Sequence, residues 1–197
     1  MSINLPITPP PRAATPRYLD FGADLVPPLG GAAQRLNRIG NRFAIDVELP
    51  PMQEALARPY LAALIRAKTE GAVLEFPQPA LVIGTPGTPR ILGGSQAGET
   101  LVIDGLTTGY VMRAGQFFSI LHGGRRYLHM NNMNATASGA GQVTLSISPM
   151  LRIIPADNAV VEIAQPMIEG FIAGSELPWT LDVAQIYGLS FSITEVE

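Results

Sequence analysis

The chain has 197 residues, of which 47% are hydrophobic and only 15% are charged, and its net charge is −3. A soluble domain usually has about 25% charged residues, so this composition indicates a surface that partner protein covers. The absence of cysteine excludes disulfide frameworks and thiolate metal sites, and the negative net charge argues against sequence-specific binding of nucleic acid.

The N-terminal segment carries no targeting signal that the sequence reveals. Residues 1–11 lack a basic region followed by an apolar core, so we expect no signal peptide. No apolar run approaches the roughly 20 residues that a membrane-spanning helix needs, so we expect no membrane partner. Residues 1–41 are rich in Pro, Ala, Gly and Arg, and their Pro-Pro pairs favour extended backbone. We therefore predict an extended arm with one strand near residues 18–21.

The spacing of apolar and polar residues becomes regular after the arm. Apolar and polar residues alternate over residues 43–49, which predicts a half-buried strand that begins at Phe43. The spacing of apolar residues over 52–65 predicts a short helix, which Pro59 should break or restart because it has no backbone N–H. Gly71 then ends the helical pattern, and residues 73–76 predict a further strand.

The middle of the chain reads as a series of short strands. Dense turn residues over 84–98 place an inner boundary near residue 85, and we interpret residues 84–89 as a turn. The strands that follow are predicted at residues 100–103, 116–121, 125–130, 142–148 and 160–163. Five strands in about 80 residues, the second and third joined as a hairpin, predict a small closed barrel such as an OB-fold.

The C-terminal segment is predicted to complete the first part of the chain. Residues 167–172 and 189–194 read as strands, whereas the part before residue 85 has too few strands to be stable alone. We therefore expect the C-terminal strands to pair with the N-terminal ones. The predicted fold is mainly β: an outer domain of residues 1–84 plus 166–197 with one short helix, and an inserted barrel of residues 85–165.

No catalytic, cofactor or metal site is predicted. His122 and His129 flank the predicted hairpin turn, but a zinc site needs three or four ligands, and no Cys or carboxylate lies between residues 105 and 156. The carboxylates considered for a glycosidase pair have no favourable spacing and are interpreted as turn or strand-edge residues: Asp104, Asp157, Glu162 and Glu169.

Two groups of aromatic residues are candidates for interaction. The first is predicted to lie in the core or at a subunit interface, because large aromatic side chains beside alternating strands usually do: Phe43, Trp179, Tyr187 and Phe191. The second combines aromatic and basic residues and is the only candidate for a ligand-binding face of the barrel: Phe117, Phe118, Arg125, Arg126 and Tyr127.

Four stretches of the chain resemble a known family. They are residues 40–51, residues 112–120 together with 126–128, residues 149–155, and residues 179–191. Over these stretches the chain is similar to the distal tail proteins of long-tailed, non-contractile bacteriophages. The resemblance covers most of residues 40–197.

This resemblance implies a fold, an assembly and a location. The fold is a β-sandwich belt domain into which an OB-like barrel is inserted. The assembly is a homo-oligomeric ring, of six subunits in the family, between a tail tube protein and a tail hub protein in the virion. The expected function is geometric rather than enzymatic: the ring leaves a channel for genome DNA, and a net negative chain does not retain phosphate.

Other functions stay open at this stage, and one is a different connector protein of the phage virion. The barrel could be a binding module for oligosaccharide or single-stranded nucleic acid, as OB-folds often are. A small hydrolase is the third possibility, and it predicts a polar pocket that holds an acid of perturbed pKa.

Overall fold

The structure, a computed structural model, describes residues 2–182 and 186–196. This part of the chain is mainly β, with one helix and a closed barrel, which confirms the predicted fold class. The elements that precede the barrel are β1 (Ile3–Asn4), β2 (Ala13–Leu19), β3 (Ala23–Leu25), β4 (Gln34–Leu36), β5 (Arg42–Glu48), β6 (Met52–Gln53), α1 (Glu54–Glu70) and β7 (Ala72–Glu75).

The remaining elements are all strands. The middle of the chain forms β8 (Gly87–Ile91), β9 (Gly98–Leu106), β10 (Val111–Met112), β11 (Phe117–His122), β12 (Arg125–Asn131), β13 (Ala135–Thr136), β14 (Val143–Leu151) and β15 (Val160–Glu162). The C-terminal part forms β16 (Met167–Ile172), β17 (Trp179–Leu181) and β18 (Ile186–Glu195).

The outer sheet joins the two ends of the chain. Its strand order is β1-β7-β16-β18-β5-β2, with β6 and β17 also paired to β18. Phe191 lies opposite Val47 and Ile193 opposite Ile45 in the antiparallel pair of β18 and β5. The pairing of C-terminal with N-terminal strands that the sequence predicts is therefore present. Alternate residues of both strands enter one core, because successive side chains of a strand point to opposite faces.

Helix α1 covers one face of this sheet as a single continuous helix. Its buried side chains, Ala57, Tyr60, Leu64 and Ala67, recur at spacings of three and four residues and so form one stripe. The predicted break at Pro59 is wrong. Pro59 lies on the exposed side of the helix, where water can bind the backbone carbonyl that has lost its helical donor, while the buried stripe holds both halves together.

The barrel has six strands rather than the predicted five. Its closed order is β11-β12-β14-β9-β8-β15. The additional strand is β8, which occupies part of the segment that we interpreted as a turn. Apolar side chains from the strands fill the interior, and the fully buried ones are Ile91, Leu101, Ile103, Phe118, Ile120, Leu145 and Ile147.

Close backbone approach explains why β8 has the composition of a turn. Gly87 has φ of +91°, and a Cβ atom at this position would lie 2.6 Å from the backbone oxygen of Gly105 on β9. The pairing of β8 and β9 shifts register between Gly87 and Arg90. Glycine is therefore required by an irregular strand pair here, as is common where strands bend to close a barrel.

The N-terminal arm is largely part of the outer sheet, and the one strand expected near residues 18–21 is present as β2, which begins five residues earlier. Strand β1 pairs in parallel with β7, and β2 pairs with β5 over all seven of its residues. Cross-strand contacts fix this position, because Arg17 forms an ion pair with Asp46 and the Tyr18 ring packs edge-on against Phe43. Between β2 and β5, however, the chain leaves the sheet as the β3–β4 hairpin.

Candidate assembly surfaces

The barrel contributes side chains to the hydrophobic core of the outer sheet, which is separate from the barrel's own interior. The side chain of Phe117 on β11 lies with its ring centroid 5.2 Å from that of Phe43 and 4.4 Å from that of Phe76. Leu128 on β12 is fully buried in the same cluster. Gln78 accepts the backbone N–H of Phe117 at 2.7 Å and donates to its carbonyl at 3.3 Å. One face of the β11–β12 hairpin is thus the junction between the two units.

Polar side chains reinforce this junction. The Nε atom of Arg126 donates to Glu162 on β15 at 3.1 Å, and its backbone N–H donates to Glu169 on β16 at 2.9 Å. The hydroxyl of Ser119 donates to Glu162 at 2.6 Å and accepts the backbone N–H of Met167 at 3.0 Å. Because β15 belongs to the barrel and β16 to the outer sheet, this network links them directly.

A buried ion pair completes the connection at the end of β18. The carboxylate of Glu195 accepts hydrogen bonds from Arg152 Nη2 at 2.7 Å and from the backbone N–H groups of Phe43 and Leu128 at 2.8 and 2.9 Å. Burial is the largest influence on Glu195 and raises its pKa, which Arg152 and the two amides counteract. One carboxylate therefore ties together β5, β12 and the segment that follows β14.

The structure corrects the predicted ligand-binding face of the barrel. Phe118 is fully buried inside the barrel, and Tyr127 is buried beneath the guanidinium of Arg152, so neither ring is open to a ligand. Phe117 and Arg126 face the outer sheet at the junction. Arg125 is exposed at the turn of the hairpin. Successive residues of one strand point to opposite faces, so these five side chains do not form a common surface.

The two histidines have separate environments. His129 is buried in the barrel, where its ring stacks on Phe118 with centroids 5.9 Å apart and its Nδ1 lies 2.9 Å from the carbonyl oxygen of Pro149. Burial lowers the pKa of His129 to about 3. His122 lies at the end of β11, where its Nδ1 accepts the backbone N–H of Ala156 at 3.2 Å. The structure thus gives His129 the role of a neutral core residue.

The segment between β2 and β5 forms an exposed apolar surface. We call residues 20–41 the apolar hairpin. It is closed by an ion-pair cluster in which Arg35 binds both Asp20 and Asp24. Its tip exposes Leu29 almost completely, at 97%. The large apolar side chains exposed along the hairpin are Phe21, Leu25, Val26, Leu29, Leu36 and Ile39. Several large exposed apolar side chains on one short segment indicate an interaction site more strongly than a single scattered residue does.

This hairpin is absent from the elements predicted above, although the sequence contains signals for it. Pro27-Pro28 and Gly30-Gly31 mark a turn, and apolar residues stand on both sides of it. The Pro-Pro pairs favour extended backbone and so indicated an arm. The two strands of the hairpin are only three residues long, which is too short to show alternation.

A second exposed surface lies at the other end of the outer sheet. An open groove of about 770 Å³ crosses the sheet face opposite the core. Its floor is formed by Asp46 and Glu48 of β5 and by Ser190 and Ser192 of β18, which alternate with core residues of the same strands. We call it the Trp groove after Trp179 in its wall, where the other lining residues include Arg12, Ala13, Thr15, Glu176, Leu177 and Pro178.

The four residues predicted for a core or an interface separate into two groups. Phe43 and Phe191 are buried in the core of the outer sheet, and Tyr187 packs partly buried against it. Trp179 is 43% exposed. We call β17 and the first three residues of β18 the Trp flap, whose exposed apolar side chains are Trp179, Leu181 and Ile186.

Two further features of the described chain bear on its chemistry. Among residues 2–182 and 186–196, no three His, Asp or Glu side chains gather as metal ligands would. Over the same ranges, no helix combines the length and the apolar character that crossing a membrane requires.

Two comparisons with known proteins found no match for this chain. No protein-family model matches it, and no curated protein matches it either.

Proposed function

We propose that this protein is a structural subunit of a bacteriophage tail tip, where copies of it assemble into a ring between the tail tube and the hub. The observation that carries this proposal is the apolar hairpin, whose six large apolar side chains are exposed in the single chain. Leaving them in water is unfavourable by roughly 25 cal/mol for each Å² of apolar surface, so covering them by another protein surface is a strong driving force.

The junction between the barrel and the outer sheet supports the role of a structural scaffold. The barrel is held to the outer sheet by a shared core, by the Arg126 network and by the buried pair of Arg152 and Glu195. Such a junction makes a rigid body, because separating the units would expose both apolar surface and charge. Rigid subunits with exposed apolar extensions suit repeated assembly. The resemblance of four stretches to phage distal tail proteins gives this scaffold its proposed place in the virion.

The proposed ring has six subunits and no catalytic activity. Heterologous contacts between identical subunits generate a ring when the rotation closes, and six is the number in the family that the chain resembles. The acidic balance of the chain suits a channel for DNA, because a wall of the same charge as phosphate does not bind it.

The alternative of an OB-like binding module lacks the surface it needs. Stacking of bases or sugars requires exposed aromatic rings. Phe118 and Tyr127 are buried, and Phe117 packs against the outer sheet. No specific observation favours this alternative, so we do not propose it.

Electron microscopy and sedimentation of the purified full-length protein test the proposal. At roughly 10 µM subunit, an association free energy of about −7 kcal/mol already assembles half of the chains. We expect closed rings with a central opening and a sedimenting species larger than one chain. Monodisperse single chains at this concentration, or open filaments without closure, would overturn the proposed ring.

A further inference from the structure

We propose that the apolar hairpin of one copy docks into the Trp groove of the next copy and packs against the Trp flap. This inference rests on the proposed self-assembly and specifies which surfaces meet. The occupant of the groove is thus a second copy of this chain, and the contact is of the head-to-tail kind.

The first support is the position of the two surfaces along one pair of strands. The ladder between β2 and β5 runs from Ala13 opposite Glu48 to Leu19 opposite Arg42. The apolar hairpin leaves the sheet at the Leu19 end, whereas the groove begins at the Ala13 end. Seven strand residues separate these ends by about 20 Å. Both surfaces are exposed, so neither covers the other within one chain.

Two separate surfaces of this kind can join copies head to tail. If the hairpin of one copy fills the groove of a second, the second copy still presents its own free hairpin to a third. Such a heterologous contact repeats until the rotation closes a ring. A two-fold dimer would cover both surfaces only if each copy's hairpin entered the other's groove at the same time, and sedimentation distinguishes its two chains from a larger ring.

The second support is the chemistry of the two surfaces. The hairpin tip is apolar, and Leu177, Pro178 and Trp179 give the groove an apolar wall. Pro27-Pro28 stiffens the tip, and a stiff segment loses less conformational entropy when it binds.

The third support is charge. The hairpin contains two Arg and two Asp, and Arg35 pairs with both Asp residues, so Arg38 is the cation left for a partner. Residues 153–197 contain seven acidic residues and no Lys or Arg, and Glu176 of this segment lines the groove, where Arg12 already pairs with Glu48. Arg38 on the hairpin and Glu176 are exposed and form no ion pair in the described chain. Opposite charges on the two surfaces favour their encounter and their orientation.

Cross-linking between single-cysteine variants tests this docking directly. The natural chain has no Cys, so only introduced thiols react. We would mix Leu29→Cys protein with Leu181→Cys protein and treat the mixture with a flexible bis-maleimide. Both positions are exposed, so neither change disturbs the core. A cross-linked pair of the two variants is expected, and it disappears when the sample is diluted until single chains predominate.

A matched pair controls for chance encounters. Met133 is also exposed but lies on the barrel beside β13, so Leu29→Cys mixed with Met133→Cys should give no cross-link above the diluted sample. Rings that form without a Leu29–Leu181 cross-link, or with an equal Leu29–Met133 cross-link, would overturn the docking and leave the proposed ring intact. Failure to associate at all would overturn both, and sedimentation distinguishes this outcome.

Fluorescence of Trp179, the only Trp of the chain, gives an independent readout. Its emission should shift to the blue as the concentration rises through assembly, because docking removes the ring from water. Val26→Asp combined with Leu29→Asp should abolish both the shift and the assembly. Val82→Asp, at an equally exposed position outside the hairpin, should preserve both. Assembly by the doubly substituted hairpin would contradict the inference.

Discussion

Arg152 donates a hydrogen bond of 2.7 Å to Glu195, and the two side chains are almost completely buried, with exposed fractions of 3% and 0%. The pair joins the barrel to the last strand of the outer sheet. The Nε and Nη1 atoms of Arg152 are buried without a hydrogen-bond partner in the described chain. Its guanidinium instead lies over the ring of Tyr127, 5.3 Å from the centroid, where cation–π attraction partly compensates.

Removal of one partner of this pair should strongly destabilise the protein. Glu195→Ala leaves Arg152 as an unpaired buried charge and two backbone N–H groups without an acceptor, so we expect a loss of about 3–5 kcal/mol. Urea unfolding followed by circular dichroism measures it. The double change of Glu195→Ala and Arg152→Met should cost clearly less than the sum of the single changes, because no unpaired cation remains. Strictly additive losses would show that the two side chains do not interact.

Truncation at the junction should destabilise more than truncation at the surface. Phe117→Ala removes a ring that packs against Phe43 and Phe76, and we expect it to cost about 3 kcal/mol. The matched control is Phe171→Ala, whose ring is 46% exposed on β16, and this change should cost less than about 1 kcal/mol. Equal losses of unfolding free energy in the two variants would contradict the shared core.

Acid should destabilise the protein through His129. Burial lowers the pKa of His129 in the folded protein to about 3, whereas the unfolded chain has an ordinary value of about 6.5. The unfolded state therefore binds more protons between these values. The contribution of neutral His129 to the free energy of unfolding is complete above pH about 6.5. It is lost as the pH falls towards 3, by at most about 1.4 kcal/mol for each pH unit.

Denaturant unfolding at a series of pH values checks this slope. His129→Gln removes the titrating group and should flatten the loss of stability between pH about 6.5 and about 4.5. His122→Gln serves as the control at the end of β11 and should retain the slope of the unchanged protein. An equal slope in all three proteins would show that another group causes the acid effect.

Replacement of Pro59 should stabilise helix α1. Pro59→Ala restores the N–H that can donate to the carbonyl of Ala55, four residues earlier, and we expect a gain of about 1–3 kcal/mol in unfolding free energy. Ala62→Pro, at another exposed position of the same helix, should cost about 3 kcal/mol or more. An unchanged unfolding midpoint for Pro59→Ala would mean that the helix does not use this hydrogen bond.

Periodicity in the sequence was sufficient to predict the strands that border one core. Val47 and Phe191 each belong to a strand in which every second residue is apolar, and they lie opposite each other in the structure. Such alternation is visible because one face of each strand is buried and the other is not. The closed barrel was predicted from the same alternation of apolar and polar residues in its longer strands.

Elements defined by backbone geometry or by tertiary packing were not predictable in this way. Strand β8 needs Gly87 where it approaches Gly105, and glycine reads as a turn when the neighbouring strand is unknown. Pro59 stays within a helix only because the surrounding stripe is buried. The interpretation of Phe117 and Phe118 as one binding face was avoidable, since neighbours in a strand point to opposite sides. The sequence alone did not show that the face of β11 that points out of the barrel, where Phe117 lies, packs against the outer sheet.

The oligomeric state of the full-length protein tests the central claim most directly. Native mass spectrometry at a subunit concentration of roughly 10 µM should show six copies of the 21.0 kDa chain, because a closed ring covers every apolar hairpin and six is the number in the family that the chain resembles. A spectrum that contains only the single 21.0 kDa chain at this concentration would contradict the account of this protein as a ring-forming subunit.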